Sequence, residues 1–440
     1  MDDSVSVGVL SLHSSKETKA ILNAVEALGH RGVWIREENL CVEIEDGTAT
    51  LEPAVDVIAN RLLLSKTEQP AELLGLALSL SRLRPMLNRP RNVLTAFHKF
   101  ATATALVDSD VRLPDATLAL DADRLNDERA KYGDEVVYKT AIGTHGGGTW
   151  KIGADEQVNP RVGDRYAFLQ ELIQRDSDRH RDLRVYVVDG EIVGTMRRYA
   201  PENDWRTNVA LGGAVEGVDD LPEAAAAMAL DAADAIGLDY AGVDLVEGEN
   251  GWHLLEVNPT AGFKGLFEAT GVSPAPLIAK LAIETAGGEV DDEQVAELAT
   301  VLDDSTPANV ATEPERQPEG VTTIGYTEDV LVSGTSGTER VVGKSDTGAA
   351  RTSIDTRLAA AIGAGPIKSM TKVRSGSVKS GKARPVVDIV VGVGGDRHTV
   401  AASLEDRGHM DYPLLLGRDI LQHYQVDVRR RSDVDEPSEE

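Results

Sequence analysis

Apolar and polar positions change period several times along the chain, and each change marks an element. Residues 5–10, Val-Ser-Val-Gly-Val-Leu, form an almost unbroken apolar run, which predicts a buried strand. Apolar positions at helical spacing over 15–28 predict a helix stopped by Gly29. A second strand is expected near 33–35, then a hairpin over 41–51 turning at Asp46-Gly47, then a strand at 55–58. Helices are expected over 73–83 and 92–103, and short strands at 136–139, 169–173, 184–188 and 192–196, the last two joined by Asp189-Gly190. A helix over Glu223–Ile236 precedes two strands that flank Gly248-Glu249-Asn250-Gly251. From 287 to 320 the texture turns to Asp, Glu, Pro, Thr and Gln, which predicts one helix at 293–302 and then a solvated linker. Residues from 321 on are rich in Val, Gly and Ser, the pattern of a separate, mainly β domain, and the acidic end, 431–440, reads as a disordered tail.

Composition narrows the function classes. A chain of 440 residues predicts two or more domains. Its 45 Lys and Arg against 73 Asp and Glu give a net charge of −28, and that field repels polyanions. Neither nucleic acid nor an anionic membrane is therefore an expected partner. Such a surface suits a protein that works in high salt, with an ordinary acidic enzyme as the alternative. The acidic start and the shortness of every apolar run point to the cytoplasm. The single cysteine, Cys41, excludes an internal disulfide and a thiolate zinc cluster. Its place in a predicted strand makes a buried thiol the expectation, not a nucleophile.

Two constellations carry chemistry. In the first, a turn centred on Asn250 sets Asp244 opposite Glu256, and strand alternation brings Asn258 to the same face. Val243, Leu245, Leu255 and Val257 then point the other way. Two carboxylates and an amide oxygen so placed suit Mg²⁺ or Mn²⁺ bridging phosphates; a solvent-facing polar strand face is the alternative. Upstream, Lys139 ends an apolar strand and runs into a glycine-rich loop containing Gly146 and Gly147, a source of one ammonium and several N–H groups for an oligophosphate.

From about residue 5 to 287 the order and spacing of these motifs resemble an ATP-grasp ligase of the RimK type. The resemblance implies an α/β ATP-grasp fold (96–287, lid and core) behind an α/β pre-ATP-grasp domain (1–95); composition sets off the acidic linker (288–320) and the mainly β domain (321–430). It also implies an activity: ATP and Mg²⁺ drive attachment of glutamate or a similar amino acid to a carboxylate acceptor, a protein C-terminus or a small molecule. Lys99 and Lys139 match the two ATP lysines, Glu171 and Leu172 the hinge at the adenosine, and Asp182 and Arg184 the Asp-Ile-Arg element, with Asp182 toward the nucleotide and Arg184 toward the substrates. Arg206, Thr207 and Asn208 match the segment at the phosphates; Asp244, Glu256 and Asn258 match the metal ligands. Residues 143–148 are the lid-loop candidate. Surface salt bridging is the plain alternative for Arg197, Arg198 and Arg206. His145-Gly146-Gly147-Gly148-Thr149-Trp150 departs from the family's usual loop, and the first hundred residues match only loosely.

The second constellation is Asp346-Thr347-Gly348-Ala349, followed about seventy residues later by Leu414-Leu415-Leu416-Gly417. The pair resembles the RimK-associated retropepsin-like domain, a group also labelled an ATP-dependent zinc protease. There is no His-Glu-x-x-His, and His398, His409 and His423 lack zinc-ligand spacing. Aspartic proteolysis needs two carboxylates sharing a proton. With one Asp-Thr-Gly per chain, a catalytic Asp346 demands a homodimer. The alternative is a non-catalytic dimerisation or substrate-binding module.

Overall fold

The computed structural model describes residues 4–13, 15–64, 70–143, 148–153, 155–163, 165–173, 180–201, 204–207, 213–303, 305, 321–373 and 382–432. They form two compact units that divide between residues 314 and 315.

The first unit opens with a parallel sheet in the order Arg31–Ile35, Ser6–Leu10, Val57–Asn60, Met86–Leu87. The crossover helix Lys16–Ala27 is capped by Ser15, whose Oγ accepts the Thr18 N–H at 3.0 Å. Ile21, Leu22 and Val25 of that helix share one core with Ile278, Ala279 and Ala282 of helix Ala275–Thr285. The acidic stretch after residue 287 begins as part of this unit: helix Asp292–Leu298 buries Val295 in the same core. The hairpin Cys41–Glu45/Thr48–Glu52 forms as the alternation predicts, but it buries only Leu51, against Leu10, Val33 and Ile58, and leaves Cys41 exposed, which overturns the expected buried thiol.

The helix expected over 92–103 is two, Pro90–Phe97 and Lys99–Ala105, broken at His98. His98 is extended, forms a β-bridge to Ile142, and accepts the Ala101 N–H on Nδ1 at 3.1 Å. The bridge and the ring cap thus replace polar contacts that a continuous helix would supply.

An antiparallel sheet follows in the order Arg161–Val162, Arg165–Gln170, Glu135–Thr140, Thr149–Gly153, with Ala116–Thr117 also pairing Arg165–Gln170. The strand expected at 169–173 therefore ends at Gln170, and 171–173 leave the sheet. A second antiparallel sheet runs Ala214–Gly217, Glu191–Tyr199, Arg181–Val188, Tyr240–Gly248, Gly251–Asn258. On it Ala225, Ala229, Ala232 and Ala233 of helix Glu223–Ile236 pack against Leu183, Val185, Val243 and Leu245.

In the second unit six strands close on themselves in the order Thr323–Ser333, Thr338–Ser345, Leu414–Leu416, Ser353–Asp355, Asp396–Glu405, Lys382–Val393, which pairs back to the first. Ile324, Val330, Ile354, Val391 and Leu414 fill the barrel. Among the described residues of the chain no single helix is long and apolar enough to cross a membrane.

Candidate active site

The hairpin Tyr240–Gly248/Gly251–Asn258 turns on two residues, Glu249 and Asn250, with Gly251 at φ 101°. A two-residue turn alone would slip the register and set Asp244 off Glu256. The register instead shifts between Asp244 and Leu245, leaving Leu255 unpaired, and this bulge restores Asp244 opposite Glu256 and Gly242 opposite Asn258. It also corrects one assignment: Leu254 joins Val243, Leu245 and Val257 in the core, and Leu255 turns to line a cavity. Gly242 has no alternative, because a Cβ there would sit 2.6 Å from that of Ala261.

Neighbouring strands bring cations onto these carboxylates. Arg184, paired with Asp244 in the ladder, grips it through Nε at 2.5 Å and Nη2 at 2.6 Å. Arg198 holds Asp182 through Nε at 2.7 Å and Nη2 at 2.5 Å, and reaches Asp244 at 2.8 Å. Only 5% of Arg198 is exposed, so the surface reading of this residue fails. Thr207 Oγ1 donates to Asp182. Lys99, set at the start of its helix by the break at His98, bonds Glu256 at 2.9 Å and the Gly143 carbonyl at 2.8 Å. Burial works to raise the Glu256 carboxyl, but Lys99, Arg184 and Lys139 prevail and hold it well below the usual carboxylate range. Burial pushes Asp244 upward against the pull of the two arginines.

The Lys139 ammonium makes no hydrogen bond among the described residues. Burial first and Lys99 second push its ammonium down to about 8, against Glu256 and Asp244. Glu171 and Leu172 follow directly on strand Arg165–Gln170; the Glu171 N–H donates to the Asp115 carbonyl at 2.8 Å, and Leu172 is buried. Arg206 is paired with Asp204, Nη2 to carboxylate at 2.7 Å. Asn258 Oδ1 accepts the Thr260 N–H at 3.0 Å.

Asp244, Glu256 and Asn258, the lysines and arginines around them, and Asp182, Thr207, Glu171 and Leu172 line one cavity of about 560 Å³. Of the residues singled out for it, Gly146, Gly147 and Asn208, with most of the lid-loop candidate, lie outside the described residues. Asp244, Glu256 and Asn258 offer a hard cation three oxygen-bearing side chains on one face, a set that fits Mg²⁺. Arg184 and Arg198 pair with Asp244, and Lys99 with Glu256.

Asp346 lies in the second unit. Its N–H donates to the Leu416 carbonyl at 2.9 Å, and its Oδ1 accepts the Gly348 N–H at 2.9 Å. Strand Leu414–Leu416 runs parallel beside Thr338–Ser345 and so backs the Asp346 turn. Gly417 is required there: a Cβ would lie 2.4 Å from the Arg351 carbonyl carbon. Asp419 anchors the turn's far end, accepting the Thr352 N–H at 2.9 Å and its hydroxyl at 2.8 Å.

Comparison with known proteins agrees with this division. The family model of the RimK-like ATP-grasp domain matches residues 96–281, and that of the retropepsin-like aspartic endopeptidase RimB matches 356–436, beginning ten residues after Asp346. The tetrahydromethanopterin:alpha-L-glutamate ligase of Methanocaldococcus jannaschii is 33% identical over 199 residues, 43% of this chain and 67% of that protein. A probable alpha-L-glutamate ligase 1 of Shewanella oneidensis is 36% identical over 146 residues, 32% of this chain, which spans about half (48%) of that relative. Among solved structures, the ATP-grasp ligase PsnB, complexed with a phosphomimetic variant of its minimal precursor, Mg and ADP, superposes with a TM-score of 0.51 at 19% identity. That match covers 65% of this chain and 100% of PsnB, and shows the fold. With cavity, topology and sequence in agreement, the chain belongs to the RimK-like ATP-grasp ligases and carries a retropepsin-like domain behind the ligase.

Proposed function

We propose that the first unit is an ATP- and Mg²⁺-dependent carboxylate–amine ligase that adds glutamate or a similar amino acid to a protein or small-molecule acceptor. The observation that carries this reading is the pairing of Asp244 with Glu256 on a cavity wall that also presents Lys99, Lys139 and Arg184. An acceptor carboxylate attacks the γ-phosphorus of ATP, the bond to ADP breaks, and an acylphosphate forms. An amine then attacks the acyl carbon, loses a proton and expels phosphate. Asp244, Glu256 and Asn258 would hold Mg²⁺, which would supply charge neutralisation at the phosphates. Lys99 and Lys139 hold the phosphate oxygens, and Arg184 and Arg206 face the transferring group and the acceptor. Glu171 and Leu172 border the adenosine, while Asp182, which accepts from Thr207 and is bridged to Asp244 by Arg198, keeps the arginines in register. We place this activity in the cytoplasm.

Hydroxylamine trapping tests the intermediate. With ATP, Mg²⁺ and an acceptor, hydroxylamine in place of the amine gives a hydroxamate, and Glu256→Ala abolishes it. ADP release without hydroxamate refutes the acylphosphate.

For the second unit we propose an aspartic-protease-like site completed by Asp346 of a second copy. The backing of the Asp346 turn by strand Leu414–Leu416 supports it. A second reading, favoured by the tetrahydromethanopterin named for the Methanocaldococcus relative, has a small cofactor as acceptor and the barrel as a dimerising, substrate-binding module.

A further inference from the structure

Arg61 follows strand Val57–Asn60, and only 4% of it is exposed. A guanidinium carries five N–H donors and a fixed charge, so burial normally comes with a carboxylate. Arg61 has none within ion-pairing distance among the described residues. Its Nη1 and Nη2 reach the Thr260 and Ala261 carbonyls at 3.4–3.5 Å, the long end of hydrogen bonding. Its Nε is buried with no partner. The Phe263 ring, 5.1 Å from Cζ, covers one face. The side chain nevertheless lines the cavity that holds Asp244 and Glu256, along the segment that follows Asn258. Lys16, Glu17 and Lys264 line the same cavity.

We propose that Arg61 is a specificity-determining residue of the ligase site, reading a substrate carboxylate that supplies the missing counter-charge. The inference rests on the ligase reading of that cavity. Its planar fork offers two parallel N–H donors to a carboxylate, a geometry that a lysine cannot reproduce. The carboxylate comes either from the incoming amino acid or from the acceptor, and the two are separable by amidation.

The test is calorimetry on the full-length protein loaded with ADP and Mg²⁺. The titrants are L-glutamate and a glutamate-terminated tripeptide, each beside its α-carboxamide. Wild type, Arg61→Met and Arg61→Lys are compared. For one titrant, amidation is expected to weaken binding to the wild type ~10- to 100-fold, the range for losing a hydrogen bond to a charged group. Arg61→Met weakens the same titrant equally and removes its preference over the amide, and Arg61→Lys falls between. ADP affinity stays within about twofold of the wild type, the result expected of a side chain that reads the carboxylate and not the nucleotide. The titrant that responds names the source. The inference is overturned by a wild type that discriminates neither carboxylate from its amide. It is equally overturned by a variant that keeps the full discrimination, or by an equal loss of affinity for every ligand, the mark of a residue that only holds 260–262 in place. Should Arg61→Met fail to fold, Arg61→Lys carries the same comparison. Failure of the ligase reading shows separately, as ADP release that does not depend on Glu256.

Discussion

Replacing Lys139 by Met separates what the site costs the fold from what it gives the ligand. The Lys139 side chain is almost wholly buried and faces Lys99 across the cavity, so its proton is held less tightly in the folded protein than in the unfolded chain. At about 1.4 kcal/mol per pKa unit, the fall from 10.5 to about 8 corresponds to roughly 3 kcal/mol against the folded state. Because the folded value lies below the unfolded one, this cost is fully present below about pH 8, declines as pH rises toward 10.5, and is absent above. Methionine keeps the apolar stem and removes the ammonium. The ligand-free Lys139→Met protein is therefore expected to gain ~2–3 kcal/mol at pH 7, and to lose that gain between pH 8 and 10.5. Its ADP·Mg binding should weaken at least ~10-fold, the loss of one charged hydrogen bond to phosphate. Urea unfolding read by tryptophan fluorescence isolates the relevant unit, since Trp34, Trp150, Trp205 and Trp252 all precede the division at residue 314. A variant no more stable than the wild type at pH 7, or a gain indifferent to pH, would refute the reasoning.

Two further perturbations probe the network and the second unit. Arg198→Met leaves Asp182 and Asp244 buried with one guanidinium fewer, and should destabilise the first unit by ~3–5 kcal/mol in the same fluorescence assay; a loss under ~1 kcal/mol would show that Arg184 and Thr207 suffice. Asp346→Asn should leave sedimentation of the proposed dimer unchanged and abolish cleavage of acidic peptides; cleavage that persists, or that is first order in protein at concentrations below dimerisation, would remove Asp346 from the chemistry.

Much of the first site was legible because hairpin arithmetic is short-range. Counting outward from a turn centred on Asn250 pairs Asp244 with Glu256 and puts Asn258 on their face; the structure reaches the same pairing by a two-residue turn and a compensating bulge. The bulges were not legible, since they satisfy packing against elements far away in sequence. Leu255 was assigned to the core for that reason, although the sheet buries Leu254. The same effect hid Arg198. Counting outward from the Asp189-Gly190 turn pairs Asp182 with Arg197; a register shift between Tyr186 and Val187 sets Arg198 there instead. The break at His98 depends on a bridge to Ile142, 44 residues on, which no local propensity encodes. Cys41 is exposed where a buried thiol was expected, because alternation predicts a strand pair but not which of its residues the rest of the fold covers, here Leu51 alone. Arg61 carried no motif at all; its signal is the missing counter-ion, visible only once the cavity is built.

The central claim is that Asp244 and Glu256 stand at a phosphate site serving amide-bond formation. ADP release from ATP and Mg²⁺ at high salt, with a panel of amino acids over candidate acceptors, compared between wild type and Glu256→Ala, tests it most directly. The account predicts release that requires both an amino acid and Glu256. Release that ignores the amino acid and survives in Glu256→Ala would contradict it.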